Sequence, residues 1–327
     1  MIDTLKHILP LLSRCKSELM GFSILLIMAF HTAGGVGIPL LNFKPFLCGD
    51  IGVEFFLVLS AMGCYFSMAK NPDTFSFYKR RLMRLLPTFI VAVALAAIIL
   101  SMISGIDGWT YFLANVTFYS LMKNGDITYW FMAHIMLCYL LMPLLYKVSQ
   151  TSLCLGLMFL LSIGCFAAAS CLATTDSSVL NVSLCRYPIF LISIPLAVLI
   201  YKNRTTEMVV GGGKNSALLI LIFLTGVYVA VTLSIHGPLS KYMIYFFVSI
   251  PMLVGLSFVI NLLKDTVIGR ALSFVGSISL ELYLLHAQVM LPLSDILTSN
   301  VLVRCLISYS GAILVGYALH KIVAIKK

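Results

Sequence analysis

Ten runs of mainly apolar residues, each long enough to cross a bilayer and joined by short polar connections, constrain this 327-residue chain more than any motif in it. A hydrocarbon core about 30 Å thick takes about 20 helical residues, and within it every backbone N–H and C=O must be paired inside its own segment. The runs at 19–38, 47–69, 85–104, 129–147, 152–173, 186–201, 215–235, 242–263, 272–292 and 302–320 therefore predict helices. Charged residues make up 10% of the chain, where a water-soluble domain carries about 25%, so no soluble fold fits. The predicted fold class is an all-α integral membrane protein: a single bundle of about ten transmembrane helices, with residues 1–327 as one domain.

Charge sets the orientation. With the N-terminus in the cytoplasm, seventeen of the 22 lysines and arginines fall in inside loops, and only Lys44, Lys123, Arg186, Lys241 and Arg304 fall outside. That bias predicts a multi-pass protein with both termini cytoplasmic. The formal charge of +10 is dispersed over these loops with no aromatic-interleaved groove, which argues against a nucleic-acid partner. Arg14, Lys16 and Glu18 interrupt the first apolar stretch, so the first span is expected to act as the insertion signal without a cleavable leader. Nine cysteines without a Cys-x-x-Cys pair, most of them inside apolar runs, predict small buried residues and not a disulfide framework or zinc site. The segment 108–122 is too short and polar to span. It predicts an interfacial helix with Trp109, Tyr111 and Tyr119 at headgroup depth.

Chemistry must come from ionisable residues inside the spans, which are expensive in hydrocarbon: His31, Glu54, His134, Glu281 and His286. His31 lies twelve residues beyond Leu19, about 18 Å along a helix at 1.5 Å per residue, hence in the outer half. Glu54, counted inward from the outer end of the second span, reaches a similar depth. A carboxylate beside His31 would fix its tautomer and strengthen its free nitrogen as a general base. For each of these residues the alternative is a polar contact that ties helices together. His134 and His286 also fall in the outer half, with Glu281 nearer the middle, so a shared polar cavity with an acceptor site is possible. The histidines show no metal-ligand spacing, and no metal is expected.

Between the second and third spans stands Tyr78-Lys79-Arg80-Arg81-Leu82-Met83-Arg84-Leu85-Leu86-Pro87. On a helix Arg81 and Arg84 share a face, as do Arg80 and Arg84. Guanidinium pairs grip phosphate in bidentate fashion, and they also snorkel to phospholipid headgroups. Pro87 is expected at the start of the third span, where its missing N–H costs little.

Three segments carry a resemblance. The run Leu19 to His31, which ends in a histidine, then Gly52-Val53-Glu54-Phe55-Phe56-Leu57-Val58-Leu59-Ser60, then Phe77 to Pro87 with its Arg-Arg-x-x-Arg core, resemble in order the signatures of the bacterial membrane acyltransferase-3 family. Trp130-Phe131, Tyr139, Pro143, Ser279 and Tyr283-Leu284-Leu285-His286 extend the similarity. Met20 departs from it where many members have arginine, and Ile135-Met136 depart where one branch often has glutamates.

The resemblance implies an inner-membrane enzyme that moves an acyl group, usually acetyl, from cytoplasmic acyl-CoA to a hydroxyl of an envelope carbohydrate or glycolipid. His31 would be the catalytic histidine, and Arg81 and Arg84 would meet the donor with Arg80 in support; the mechanism this suggests has Glu54 holding His31, and His134, Glu281 and His286 are the candidates for an acceptor site. Acetyl-CoA enters as co-substrate, with no tightly bound cofactor. The rival reading is a proton-coupled transporter or flippase in which the buried histidines and glutamates relay protons. Neither the acceptor's identity nor an oligomeric state follows from the sequence.

Overall fold

The computed structural model describes residues 8–33, 48–172, 178–204, 213–233 and 238–324. These form an all-helical bundle with no strand among the described residues. A short turn of helix, α1 (Leu11–Arg14), leads into α2 (Lys16–Ala33), α3 (Gly52–Lys70), α4 (Thr74–Ser104), α5 (Gly108–Val116), α6 (Tyr119–Asn124) and α7 (Trp130–Ser149). Then follow α8 (Cys154–Leu172), α9 (Ser178–Lys202), α10 (Gly213–Leu233), α11 (Pro238–Leu263), α12 (Val267–Ser277), α13 (Ser279–Leu285), α14 (Leu291–Leu297) and α15 (Val301–Ala324).

Eight helices among the described residues are long and apolar enough to cross a membrane. Helices α2 and α10 fall on the two remaining expected spans, whose ends at 34–38 and 234–235 lie outside the described residues. The most deeply packed is α3, with Phe55, Leu57, Leu59, Ala61 and Cys64 wholly covered by neighbouring helices. By contrast α8 stands at the rim and presents Leu155, Phe159, Leu160 and Ile163 outward, as a lipid-facing helix does.

Helix α2 reaches the centre through glycine. At its crossing with α12, a Cβ on Gly21 would overlap the carbonyl oxygen of Leu272, and one on Gly276 would overlap that of Ser17. Backbones in van der Waals contact suit a membrane interior, where helices associate through packing and not through water exclusion. Hydroxyls inside the bundle bond back along their own helices: Ser23 donates to Leu19 O at 2.7 Å and Ser193 to Ile189 O at 2.6 Å.

Three expectations are corrected. The third span is the tail of α4, which starts at Thr74, where the Asp73 carboxylate caps the helix by accepting from the Ser76 N–H at 2.7 Å. At 31 residues α4 is about 46 Å long, so its first ten or so residues project beyond the hydrocarbon and carry the arginines with them. Pro87 consequently lies inside the helix and not at its start. The expected span 272–292 breaks at Ile278; α12 ends there, and α13 begins a new crossing that continues through a π-turn at His286–Met290 into α14. Segment 108–122 is two short helices separated at Phe118, which takes φ 59°. Trp109 and Tyr119 are exposed as expected, whereas Tyr111 packs inward against the core.

Candidate active site

The start of α2, the end of α3 and the start of α4 come together at one end of the bundle, here termed the basic end. A cavity opens there with an empty volume of about 630 Å³, mouth included. Lys16 of α2 and Arg81 and Arg84 of α4 line it, and among the described residues no acidic one does. Its walls are apolar and aromatic, supplied by Phe56 of α3, Phe131 and Tyr139 of α7, and Tyr283 of α13. Met20 and Ile135, two of the positions that depart from the family pattern, face into this same cavity. Met20 follows Lys16 by one helical turn, so an ammonium stands on the same face of α2.

Gly63 organises the cations. Its carbonyl accepts from Arg81 Nη2 at 2.7 Å, and a Cβ built on it would meet Lys16 Nζ at 2.5 Å. The Arg81 guanidinium also lies over the rings of Phe77 and Tyr139, each 5.4 Å to the centroid, while its Nε is buried without a partner among the described residues. Arg84 makes no hydrogen bond or ion pair among the described residues, and it is exposed. Three cations crowded into a half-covered cavity without a carboxylate repel one another, and an anion relieves that repulsion. Arg80 is turned away from the cavity, donating to Ser67 Oγ at 3.2 Å.

From the inner end of the cavity a row of rings leads to the opposite end of α2. Phe131 is 5.0 Å from Tyr283, Tyr283 is 6.0 Å from His286, and His286 is 5.1 Å from His31, between ring centroids. Lys16 and His31 are fifteen residues apart on one helix, about 22 Å along its axis. His31 is exposed at its end of the bundle, and the next residue, Thr32, shares a hydroxyl contact of 3.2 Å with Tyr309 of α15.

Glu54 is held elsewhere than beside His31. Both of its oxygens accept from Arg186 Nη1 at 2.6 Å. Arg186 Nη2 reaches Asp50 at 3.0 Å, Lys241 Nζ reaches the same carboxylate at 2.8 Å, and the Tyr245 hydroxyl donates to it at 2.9 Å. The physical reason is burial: Glu54 is 2% exposed, and a carboxylate at that depth needs a full opposite charge, which a neutral imidazole does not offer. No hydrogen bond joins His31 to Glu54 among the described residues. The network instead flanks His31 through Phe30, whose ring lies 5.3 Å from Lys241 Nζ.

The three residues assigned to the acceptor side are not brought together. Only His286 meets His31. His134 is buried with its Nε2 3.7 Å from Cys138 Sγ and its ring near Trp130 and Tyr187. Glu281 pairs with His320 Nδ1 at 2.9 Å and shares with Arg84 a second, smaller cavity at the basic end. Sequence reasoning passed over Lys16, Asp50, Arg186, Lys241 and His320. For Arg186 and Lys241 a signal was present, since both are cations on the side that the charge bias keeps poor in them.

A family model described as an acyltransferase domain matches residues 19–321 of the chain. That stretch holds Arg81, Arg84, the histidine pair and the buried ion network, while Lys16 of the first cavity and Val323 of the second lie just outside it. No curated protein and no solved structure matches.

Proposed function

Because the chain belongs to the acyltransferase-3 family of membrane proteins, we propose that it transfers an acyl group, acetyl in the first instance, from acyl-CoA to a hydroxyl of an envelope carbohydrate or glycolipid. The observation that carries this reading is the basic cavity, lined by three cations and, among the described residues, no carboxylate, with apolar and aromatic walls whose ring contacts run on through Tyr283 and His286 to His31. A polyphosphate with a long, slender thioester arm matches both halves. Phosphate oxygens are met by Arg81 and Arg84, with Lys16 as a third cation and Arg80 at the periphery. The arm lies along Phe56, Phe131 and Tyr283 and brings the thioester toward the histidines.

The chemistry is one displacement. His31 takes the proton of the acceptor hydroxyl, the oxygen attacks the thioester carbonyl, the C–S bond breaks, and the CoA thiolate leaves and recovers the proton. Glu54 acts through Arg186 and Asp50, keeping charged groups fixed around His31 without touching its ring. The basic end faces the cytoplasm of the inner membrane, where acyl-CoA is found, in keeping with the charge bias. The family match supports the enzyme over the transporter.

Purified protein with labelled acetyl-CoA tests the reading. Saturable CoA binding that is lost in Arg81→Ala and Arg84→Ala, together with label transfer to an envelope glycan fraction, is expected. Absence of CoA binding sinks it.

A further inference from the structure

Among the described residues, the buried side chain next to His31 with an unused hydrogen-bond acceptor is His286. The His286 ring is 3% exposed and lies 5.1 Å from the His31 ring, the two planes inclined by 57°. Its Nδ1 is 2.9 Å from the carbonyl oxygen of Leu282, one turn back. A carbonyl only accepts, so Nδ1 carries the proton and Nε2 carries a lone pair. That Nε2 is buried with no partner among the described residues. An unpaired acceptor in a bundle interior is a standing cost, and such groups persist where function uses them.

The backbone supports this placement. His286 opens the π-turn His286–Met290, in which the Leu291 N–H bonds to the His286 carbonyl five residues back. Wide turns of this kind inside helices are frequent at functional sites. Met290, at the far end of the turn, packs against α15, where a Cβ on Gly311 would meet its sulfur at 2.9 Å. The turn is thus seated against a neighbouring helix and cannot relax freely into a regular one.

We propose that His286 is the positioning partner of His31, accepting the N–H of one His31 nitrogen on Nε2 so that the other His31 nitrogen holds the lone pair that takes the acceptor proton. The Leu282 bond holds the His286 ring in place, so rotation of the exposed His31 ring about its terminal torsion is the motion that presents a nitrogen to Nε2 across this separation. The proton balance is that of the acyl transfer above, on which this inference rests. The acceptor hydroxyl proton passes to the free His31 nitrogen, the O–C bond forms, the C–S bond breaks, and the thiolate takes the proton from His31. His286 keeps its Nδ1 proton throughout.

The test is a kinetic cycle on the purified full-length protein with acetyl-CoA, with folding checked by melting temperature. His286→Ala is expected to lower kcat about 100-fold, within the range of a mispositioned general base, and to leave KM for acetyl-CoA within twofold. His286→Gln, whose side-chain oxygen can accept the same N–H, recovers about tenfold over His286→Ala, whereas His286→Leu does not. In a His31→Ala background, replacing His286 changes the residual rate by less than threefold, because a positioning residue acts only through its partner. Wild-type kcat in His286→Ala, equal loss in the Gln and Leu variants, or additive losses in the double variant overturns the pairing and leaves the enzyme reading standing. A wild-type protein that binds no CoA and transfers nothing overturns both.

Discussion

Replacing Arg186 by methionine removes the cation on which two buried carboxylates depend. In the native network Asp50 and Glu54 face Arg186 and Lys241, so the charges balance. Arg186→Met leaves two carboxylates with one ammonium, and Glu54, at 2% exposure, keeps no ion-pair partner. Breaking a buried pair from one side costs about 3–5 kcal/mol, roughly two to three and a half powers of ten in the folded-to-unfolded ratio. The guanidinium also lies over the rings of Tyr242, at 4.6 Å, and Trp130, at 5.4 Å, and that contact is lost too. The pair Glu54→Met with Arg186→Met leaves Asp50 matched by Lys241 alone and should recover most of the loss, since swapping both members for apolar residues is close to neutral.

The assay is the fraction of detergent-solubilised protein that stays monodisperse after heating, read by size-exclusion of a fluorescent fusion. A clear drop in melting temperature for Arg186→Met, reversed in the double variant, is expected. Equal stability of wild type and Arg186→Met, or a double variant no better than the single, would refute the charge-balance reasoning. Glu54→Gln separates structure from chemistry: it should lower the melting temperature more than it changes kcat, and a 1,000-fold loss of kcat at native stability would restore Glu54 to direct contact with the reacting groups.

Arg84→Ala should raise KM for acyl-CoA about tenfold or more, the worth of one charge-assisted hydrogen bond, without moving the melting temperature, because Arg84 bonds no protein group among the described residues. Arg81→Ala should lower both donor affinity and stability, since it also gives up the Gly63 carbonyl and two aromatic faces; binding isotherms and melts on the same samples distinguish the pair. Gly63→Ala should displace the Lys16 head and weaken CoA binding several-fold with little loss of stability, because the group in the way is the end of a flexible side chain. For the α4 cap, hydrogen bonds from the Ser76 hydroxyl and N–H hold the Asp73 carboxyl below its ordinary range. Its contribution is therefore complete above the unfolded pKa of about 3.9 and is lost as pH falls through the lower folded value. Amide exchange at the start of α4 should be slower in wild type than in Asp73→Ala at neutral pH, and the difference should vanish in acid.

The helices were legible because hydrocarbon leaves a chain one way to satisfy its backbone, and run length reports that directly. Where reading failed, the cause was local chemistry that outweighs hydropathy. The Asp73 cap draws the start of α4 back to Thr74, and a break at Ile278 splits one apolar run into a short helix and a new crossing. Arg81 and Arg84 were legible as a cationic face from their spacing alone. Lys16 was not: its membership of the cavity depends on α2 lying against Gly63 of α3, a tertiary contact with no trace in local sequence. The His31 and Glu54 pairing failed for a similar reason, because matching depths fix height along the membrane normal and say nothing about which neighbour faces which.

The exceptions to the charge bias hold information that a tally hides. Five cations fall on the side that should be poor in them; Lys44 lies outside the described residues, and of the other four, three are paired with carboxylates at their own end. Arg186 and Lys241 meet Asp50 and Glu54, and Arg304 meets Asp295. Each of the three thus has a local partner that accounts for its place, and the bias rests on the larger number of lysines and arginines in the opposite loops. The converse holds in the larger cavity at the basic end, which Lys16, Arg81 and Arg84 share with no acid among the described residues. Asp50 and Glu54 thus balance charge beside His31, whereas the larger basic cavity holds its three cations unbalanced and Glu281, at the same end, pairs with His320. A site for a neutral hydroxyl acceptor needs the first arrangement, and a site for a polyanionic donor needs the second.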